Sequence, residues 1–179
     1  MTGQDFYEAW RGQGALVICK HDHTKTGLTF SALFEPSGIP EAAHKLLDAG
    51  YHLEGITAAQ VKEGFLVTWH FNSFTSPGRL AVRAVGQKND FWSINSIFQG
   101  AEWHEREQTD FFGITFAGNH NPVPLLLPHD FPLAPPLLKE EKALASLMAF
   151  NLFGEAEALD PDWQKLLAPV AEEQKEGAA

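Results

Sequence analysis

With 13 Lys and Arg against 23 Asp and Glu, and a formal charge of −10 over 179 residues, the chain lacks the basic footprint that nucleic acid or an anionic membrane surface demands. Its 44% hydrophobic and 12% aromatic content excludes wholesale disorder, and its length suits one domain plus an appendage. No window approaches about 18 consecutive apolar residues and no basic stretch precedes an apolar run in Met1–Trp10, so a soluble chain without membrane span or secretory signal is expected.

Asp5–Trp10 is expected to form a short helix that stops before Gly12. Ala15–Cys19 is a continuous apolar run suited to a strand buried on both faces. Its lone cysteine, Cys19, supports neither a disulfide nor a thiolate-held iron–sulfur cluster and reads as a small buried hydrophobe in a reducing compartment. After a polar turn at His21–Lys25, Leu28–Phe34 alternates, with Leu28, Phe30, Ala32 and Phe34 on one face. Pro40 opens a helix to about Ala49, with Ala43, Leu46 and Leu47 inward and Gly50 ending it. Three strands follow at Tyr51–Thr57, Gly64–Ser73 and Leu80–Val85; short loops favour antiparallel neighbours. In Gly64–Ser73, Phe65, Val67, Trp69 and Phe71 face one way, and Leu66, Thr68, His70 and Asn72 the other.

Gly100–Ile114 reads as one helix closed by Gly113, with charges interleaved among large aromatics. Helical spacing places Trp103, Glu107, Asp110 and Ile114 along one side, with Arg106 beside them and both Glu102 and Asp110 within its reach. The predicted order is α-β-β-α-β-β-β followed by this helix, a two-layer α/β (α+β) domain over residues 1–118.

Composition changes at Asn119. Six of the 11 prolines lie from Pro122 to Pro136, which excludes helix or interior strand and predicts an extended strap over its own domain or a neighbour. Lys139–Phe153 has helical spacing, with Ala143, Leu144, Leu147, Met148 and Leu152 on a broad apolar face. A short helix starts at Asp160-Pro161 and carries Trp163, Leu166 and Leu167, while Ala171–Ala179 is polar and expected to fray. Residues 119–179 thus read as a docking arm.

No motif for chemistry is complete. His104-Glu105-Arg106-Glu107-Gln108 has glutamine where a zinc protease needs its second histidine, and His21 with His23 lacks a second ligand pair. Gly12-Gln13-Gly14 is half a dinucleotide fingerprint, with Val17 at the third glycine and a strand following. Ser73, Ser76, Ser93 and Ser96 lie in no nucleophile elbow. Glu107 and Asp110 could pair as carboxylates, but a neighbouring Arg106 would keep both ionised. No catalytic, cofactor-binding or metal-ligating residue is therefore expected.

The register Ser93, Ile94, Ile97, Phe98, Gly100, Ala101, Trp103, Glu105, Arg106, Glu107, Asp110, Phe111, Phe112, Gly113, Ile114 resembles the signature of the C-type subunit family of NADH:quinone oxidoreductase (respiratory complex I). That family includes the equivalent subunits of energy-converting [NiFe] hydrogenases and formate hydrogenlyases. The resemblance implies a similar α-β-β-α-β-β-β core and a non-catalytic assembly subunit in the peripheral arm of a membrane-associated oxidoreductase. It implies a large hydrogenase-like partner (the D-type subunit of such complexes) and ferredoxin-like or small iron–sulfur subunits. Those partners would carry iron–sulfur clusters and flavin or nickel–iron, and the complex would lie on the cytoplasmic face of the membrane. By the same resemblance, Trp103, Glu105, Arg106, Glu107, Asp110, Phe111 and Gly113 form the signature and partner interface. The chain departs from the family after Gly118: the usual His-Pro-Asp-Leu-Arg-Arg reads Asn119-His120-Asn121-Pro122-Val123-Pro124, without the aspartate and both arginines. Pro136-Leu137-Leu138-Lys139-Glu140 lacks another arginine, so the mating surface differs, with a lean toward the hydrogenase side. A stand-alone α/β enzyme or binding module with an unrecognised cleft is the alternative.

Overall fold

The computed structural model describes residues 8–11, 14–75, 78–150, 152 and 155–166. Within them a six-stranded sheet forms from β1 (Ala15–Lys20), β2 (Leu28–Phe34), β3 (His52–Val61), β4 (Gly64–Asn72), β5 (Arg79–Gly86) and β8 (Glu155–Ala158), in the order β3-β4-β5-β2-β1-β8. The short connections make β1–β2, β3–β4 and β4–β5 antiparallel, as the loop lengths predict. The centre is closed by a parallel β2–β5 pair, and α2 (Ile39–Asp48) belongs to the long connection that parallel strands require. A two-stranded parallel pair, β6 (Phe91–Trp92) and β7 (Phe116–Ala117), flanks α3 (Ala101–Phe112). The α+β class and the element order agree with the sequence.

Strands β1 to β5 split their side chains between two cores. Phe30, Ala32 and Phe34, with Phe65, Val67, Trp69 and Phe71, face the larger core under α2, together with Ala101 and Phe112 of α3. Residues 8–11 are helical and seat Trp10, fully buried, edge-on to Phe34; Asp5–Tyr7 lie outside the described residues. The opposite face carries Val17, Cys19, Leu33, Val61 and Leu66 under Leu147 and Trp163. Cys19 is buried there, and burial pushes its thiol up.

Several expectations need correction. The polar turn at His21–Lys25 contains a helical turn, α1 (His23–Thr26), because Asp22 caps the Thr24 N–H at 3.0 Å. In α2 the inward face is Ile39, Ala42, Ala43 and Leu46, whereas Leu47 is 44% exposed. The third strand runs on to Val61, well past Thr57.

The largest revision concerns Lys139–Phe153, which forms no α-helix among its described residues. It holds two 3-10 turns, Glu141–Ala143 and Leu147–Phe150. The backbone there is engaged by the β3–β4 turn. The Lys62 N–H donates to the Ala145 carbonyl at 3.1 Å, and Glu63 accepts from Ser146 Oγ at 2.5 Å and from the Leu147 N–H at 2.9 Å. The Ala145 carbonyl and the Leu147 N–H are groups that a helical ladder would need. Among the described residues of this segment only Leu147 is fully buried; Met148 is 52% exposed.

Beyond this crossing, β8 pairs antiparallel with β1, an edge strand that the sequence pattern does not announce. The expected C-terminal helix is α4 (Trp163–Leu166), with Trp163 buried; Leu167 and Ala171–Ala179 lie outside the described residues. No helix among the described residues is long and apolar enough to cross a membrane.

Candidate functional site

α3 lies along the edge strand β3, where the Gln108 amide donates to the Ile56 carbonyl at 3.1 Å. Its buried side is Ala101, Glu105, Gln108, Asp110 and Phe112. The expected stripe through Trp103 is therefore corrected: Trp103 is 64% exposed, and Ile114, though buried, falls beyond the helix end. The buried side includes two acids, Glu105 and Asp110, each held by hydrogen bonds to residues outside the helix.

Glu105 is fully buried and accepts three hydrogen bonds, from Ser93 Oγ at 2.6 Å, the Ile94 N–H at 2.9 Å and Asn119 Nδ2 at 2.7 Å. Burial still pushes its carboxyl above the ordinary glutamate range, against the pull of those donors. Ser93, considered as a nucleophile from sequence, is here an anchor for this carboxylate.

The other charges bind the strap that follows. Asp110 Oδ2 accepts the successive N–H groups of Leu125, Leu126 and Leu127 at 3.0, 2.7 and 3.0 Å. Arg106 donates through Nε to the Val123 carbonyl at 2.7 Å and through Nη2 to the Pro124 carbonyl at 3.0 Å. Its Nη1 reaches Glu102 at 3.2 Å, and Glu102 also accepts from Asn121 Nδ2 at 2.6 Å and meets His120 Nε2 at 3.1 Å. The Asn121 amide first, with His120 and Arg106 behind it, holds the Glu102 carboxyl below the usual range. Arg106 thus pairs with Glu102 as expected, but Asp110 is taken by backbone amides. An arginine holding Glu107 and Asp110 ionised together is not the arrangement found.

Three further signature residues complete the corner. Glu107 is half-buried and takes a hydrogen bond from Gln108 at 3.3 Å. Phe111 packs against the larger core, and its carbonyl accepts the Leu137 N–H at 3.0 Å, a second point of attachment for the strap. Gly113 ends α3 at φ 70°, and a Cβ there would lie 3.1 Å from Pro135 Cγ.

The structure therefore brings together Glu105, Arg106, Asp110, Phe111 and Gly113, and it leaves Trp103 outward. Sequence reasoning missed Ser93, Gln108, Asn119 and Asn121 as their partners. A donor side chain near a buried carboxylate was the available signal, but nothing local announces which carboxylate is buried. His21 bonds Ser31 Oγ at 2.7 Å, whereas His23 is exposed. Among the described residues no group of three or more His, Cys, Asp or Glu side chains is gathered as for a metal ion.

Fold and site together define an α+β domain in which a charged edge helix clamps its own C-terminal strap. Residues 32–146 match the family described as "Respiratory-chain NADH dehydrogenase, 30 Kd subunit", and the chain belongs to that family. Similar curated proteins include the C subunit of the NADH-quinone oxidoreductase of Roseiflexus castenholzii, 31% identical over 63% of this chain and 63% of that protein. The J subunit of the NAD(P)H-quinone oxidoreductase of the Paulinella chromatophora chromatophore is 49% identical over 52% of this chain and 50% of that one. In the Prochlorococcus marinus MED4 J subunit the match is shorter, 51% identical over 22% of each chain. The matched region thus spans 22% to 63% of these relatives' lengths.

Among solved structures, a trypsin-resistant fragment of Nqo5 has a similar fold, with TM-score 0.55, 19% identity, and coverage of 66% of this chain and 97% of that one. A chain of the membrane-bound sulfane sulfur reductase, an archaeal respiratory membrane complex, gives TM-score 0.57 at 16% identity over 83% of this chain and 89% of that one.

Proposed function

We propose that this chain is a non-catalytic assembly subunit in the peripheral arm of a complex-I-type, membrane-associated oxidoreductase that couples electron transfer to ion translocation. In this reading its neighbours are a large hydrogenase-like protein of the D type and ferredoxin-like or small iron–sulfur subunits. Those neighbours carry the iron–sulfur clusters and the flavin or nickel–iron centre. The chain lies on the cytoplasmic face of the membrane as a peripheral component.

The observation that carries this reading is the division of labour on α3 and the strap. The ionic side chains of Glu102, Glu105, Arg106 and Asp110 are spent on the chain's own residues 93–127. Large apolar side chains stay outside, with Trp103 64%, Leu126 58% and Leu133 72% exposed. A backbone fixed from within and apolar outside is a preorganised protein-binding surface, because little order remains to be lost on association. Membership of the 30 kDa subunit family supports the same reading. The missing arginines after Gly118 make this surface more apolar than the family pattern, which favours a partner surface to match.

The test is purification of the tagged full chain from membranes in mild detergent. A hydrogenase-like large subunit and iron–sulfur proteins should co-purify, and a folded Trp103→Ala/Leu126→Glu variant should lose them. Nickel without flavin in the preparation assigns the hydrogenase side, and flavin with quinone reductase activity assigns the respiratory side. A chain recovered only as a monomer, turning over a small molecule by itself, would overturn the proposal.

A further inference from the structure

The sheet face opposite α2 holds a charge that bracing does not use. Arg83 of β5 is 6% exposed, cross-strand from Thr68 of β4 and Leu33 of β2. Its Nη1 donates to Ser31 Oγ at 2.6 Å and to the Leu152 carbonyl at 3.3 Å. Its Nε is buried and donates to nothing among the described residues. No ion pair among the described residues includes Arg83, and Glu54, an acid of the same sheet, is taken by Arg79. A guanidinium cannot escape this by losing its proton in a protein, and a buried charge without a counter-ion is costly.

The surroundings are neutral donors and acceptors. Ser31 Oγ accepts from Arg83 and also lies 2.7 Å from His21 Nε2, so the hydroxyl links the guanidinium to the imidazole. His70 of β4 contacts Thr57 Oγ1 at 3.2 Å. Burial first, and Arg83 next, push both imidazoles down, so neither competes with the guanidinium as a cation near neutral pH. The cluster thus carries one fixed positive charge, ringed by hydroxyls and imidazoles, on a chain whose formal charge is −10. General accumulation of anions on such a chain is unfavourable, so an anion held here is held locally.

We propose that the Arg83 cluster is a binding site for one small oxyanion, of the phosphate, sulfate or carboxylate class, held by the unused edge of the guanidinium with the His21 and His70 rings beside it. The fork of two N–H groups matches two oxygens of such an anion. A free small anion suits the site better than an acidic side chain of another protein, since Arg83 is 6% exposed and its Nη1 meets the Leu152 carbonyl.

The decisive measurement is the Arg83 Nε–H resonance of the 15N-labelled full chain during titration with inorganic phosphate at constant ionic strength. A saturable shift with phosphate that chloride does not reproduce supports the site. An Nε–H resonance equally indifferent to both salts overturns it. Arg83→Met gives a second reading: phosphate should raise the melting temperature of the wild type, and this rise should vanish in the variant. An equal rise in both proteins is the general salting effect and also overturns the site. If Arg83→Met does not fold, the resonance titration of the wild type decides alone. Neither result bears on whether the chain assembles with partners, so the two proposals stand or fall separately.

Discussion

At the scale of single residues, the signature side chains divide by what they hold. Arg106 is 11% exposed and supplies three directed hydrogen bonds, two of them to carbonyls of the strap. Arg106→Ala is expected to cost about 2 kcal/mol, between the values for exposed and fully buried charged groups. Arg106→Lys should recover little of it, because an ammonium cannot span both carbonyls. Urea unfolding of the three proteins checks this. Asp110→Ala removes the acceptor of three consecutive amides, so hydrogen exchange at Leu125, Leu126 and Leu127 should accelerate by about tenfold or more while the β4 and β5 amides stay protected. Unchanged exchange at those three amides would show that the strap is fixed by other means.

Glu105 makes a pH-dependent prediction. Its folded carboxyl is raised by burial, so the native state binds that proton more tightly than the unfolded chain. Stability from this group is full below the unfolded value, about 4.3, and is lost as pH rises through the raised folded value. Glu102 has the opposite sign: its depressed carboxyl stabilises above the unfolded value and loses that contribution as pH falls. Chemical denaturation of wild type and Glu105→Gln from pH 4 to 8 separates them. The stability difference should move in favour of the glutamine variant as pH rises, and a pH-independent difference would contradict the burial argument.

At the scale of elements, α3 and the C-terminal segment illustrate when periodicity suffices. The alternation of Phe65, Val67, Trp69 and Phe71 was readable because a strand between two cores has no choice but to sort its side chains by face. The buried side of α3 was not readable, since apolar periodicity gives no weight to a buried glutamate whose donors lie at Ser93, Ile94 and Asn119. Similarly, Lys139–Phe153 has helical spacing but loses its ladder to Lys62 and Glu63. At the end of α3, Gly113→Ala should destabilise by about 1–2 kcal/mol, from the left-handed backbone and the approach to Pro135. Leu147→Ala should cost about 3 kcal/mol in equilibrium unfolding, because this residue alone among its neighbours in the 3-10 turn is fully buried. A cost below about 1 kcal/mol would mean that the segment is not part of the second core.

At the scale of the whole molecule, the strap is the organising feature. It leaves α3 at Gly113, is pinned by Asp110, Arg106 and the Phe111 carbonyl, and meets Gln60 through the Lys139 N–H at 2.7 Å. It then meets the β3–β4 turn at Glu63, and further along the chain β8 adds to the far edge of the sheet beside β1. Arg11 pairs with Glu157 across that last addition, tying the two ends of the described chain together. A chain arranged this way has an outer surface set by its own internal bonds.

Composition, strand alternation and the Trp103–Gly113 signature by themselves determined the α+β class, the element order and the family, because these depend on local period and on a run of residues read in register. Only the tertiary structure decided which carboxylates are buried, where Arg106 sends its hydrogen bonds, that residues 139–150 forgo a helix and that β8 closes the sheet. Each of those outcomes turns on a backbone or charged group finding a partner far away in the chain, and no local pattern encodes a partner's distance.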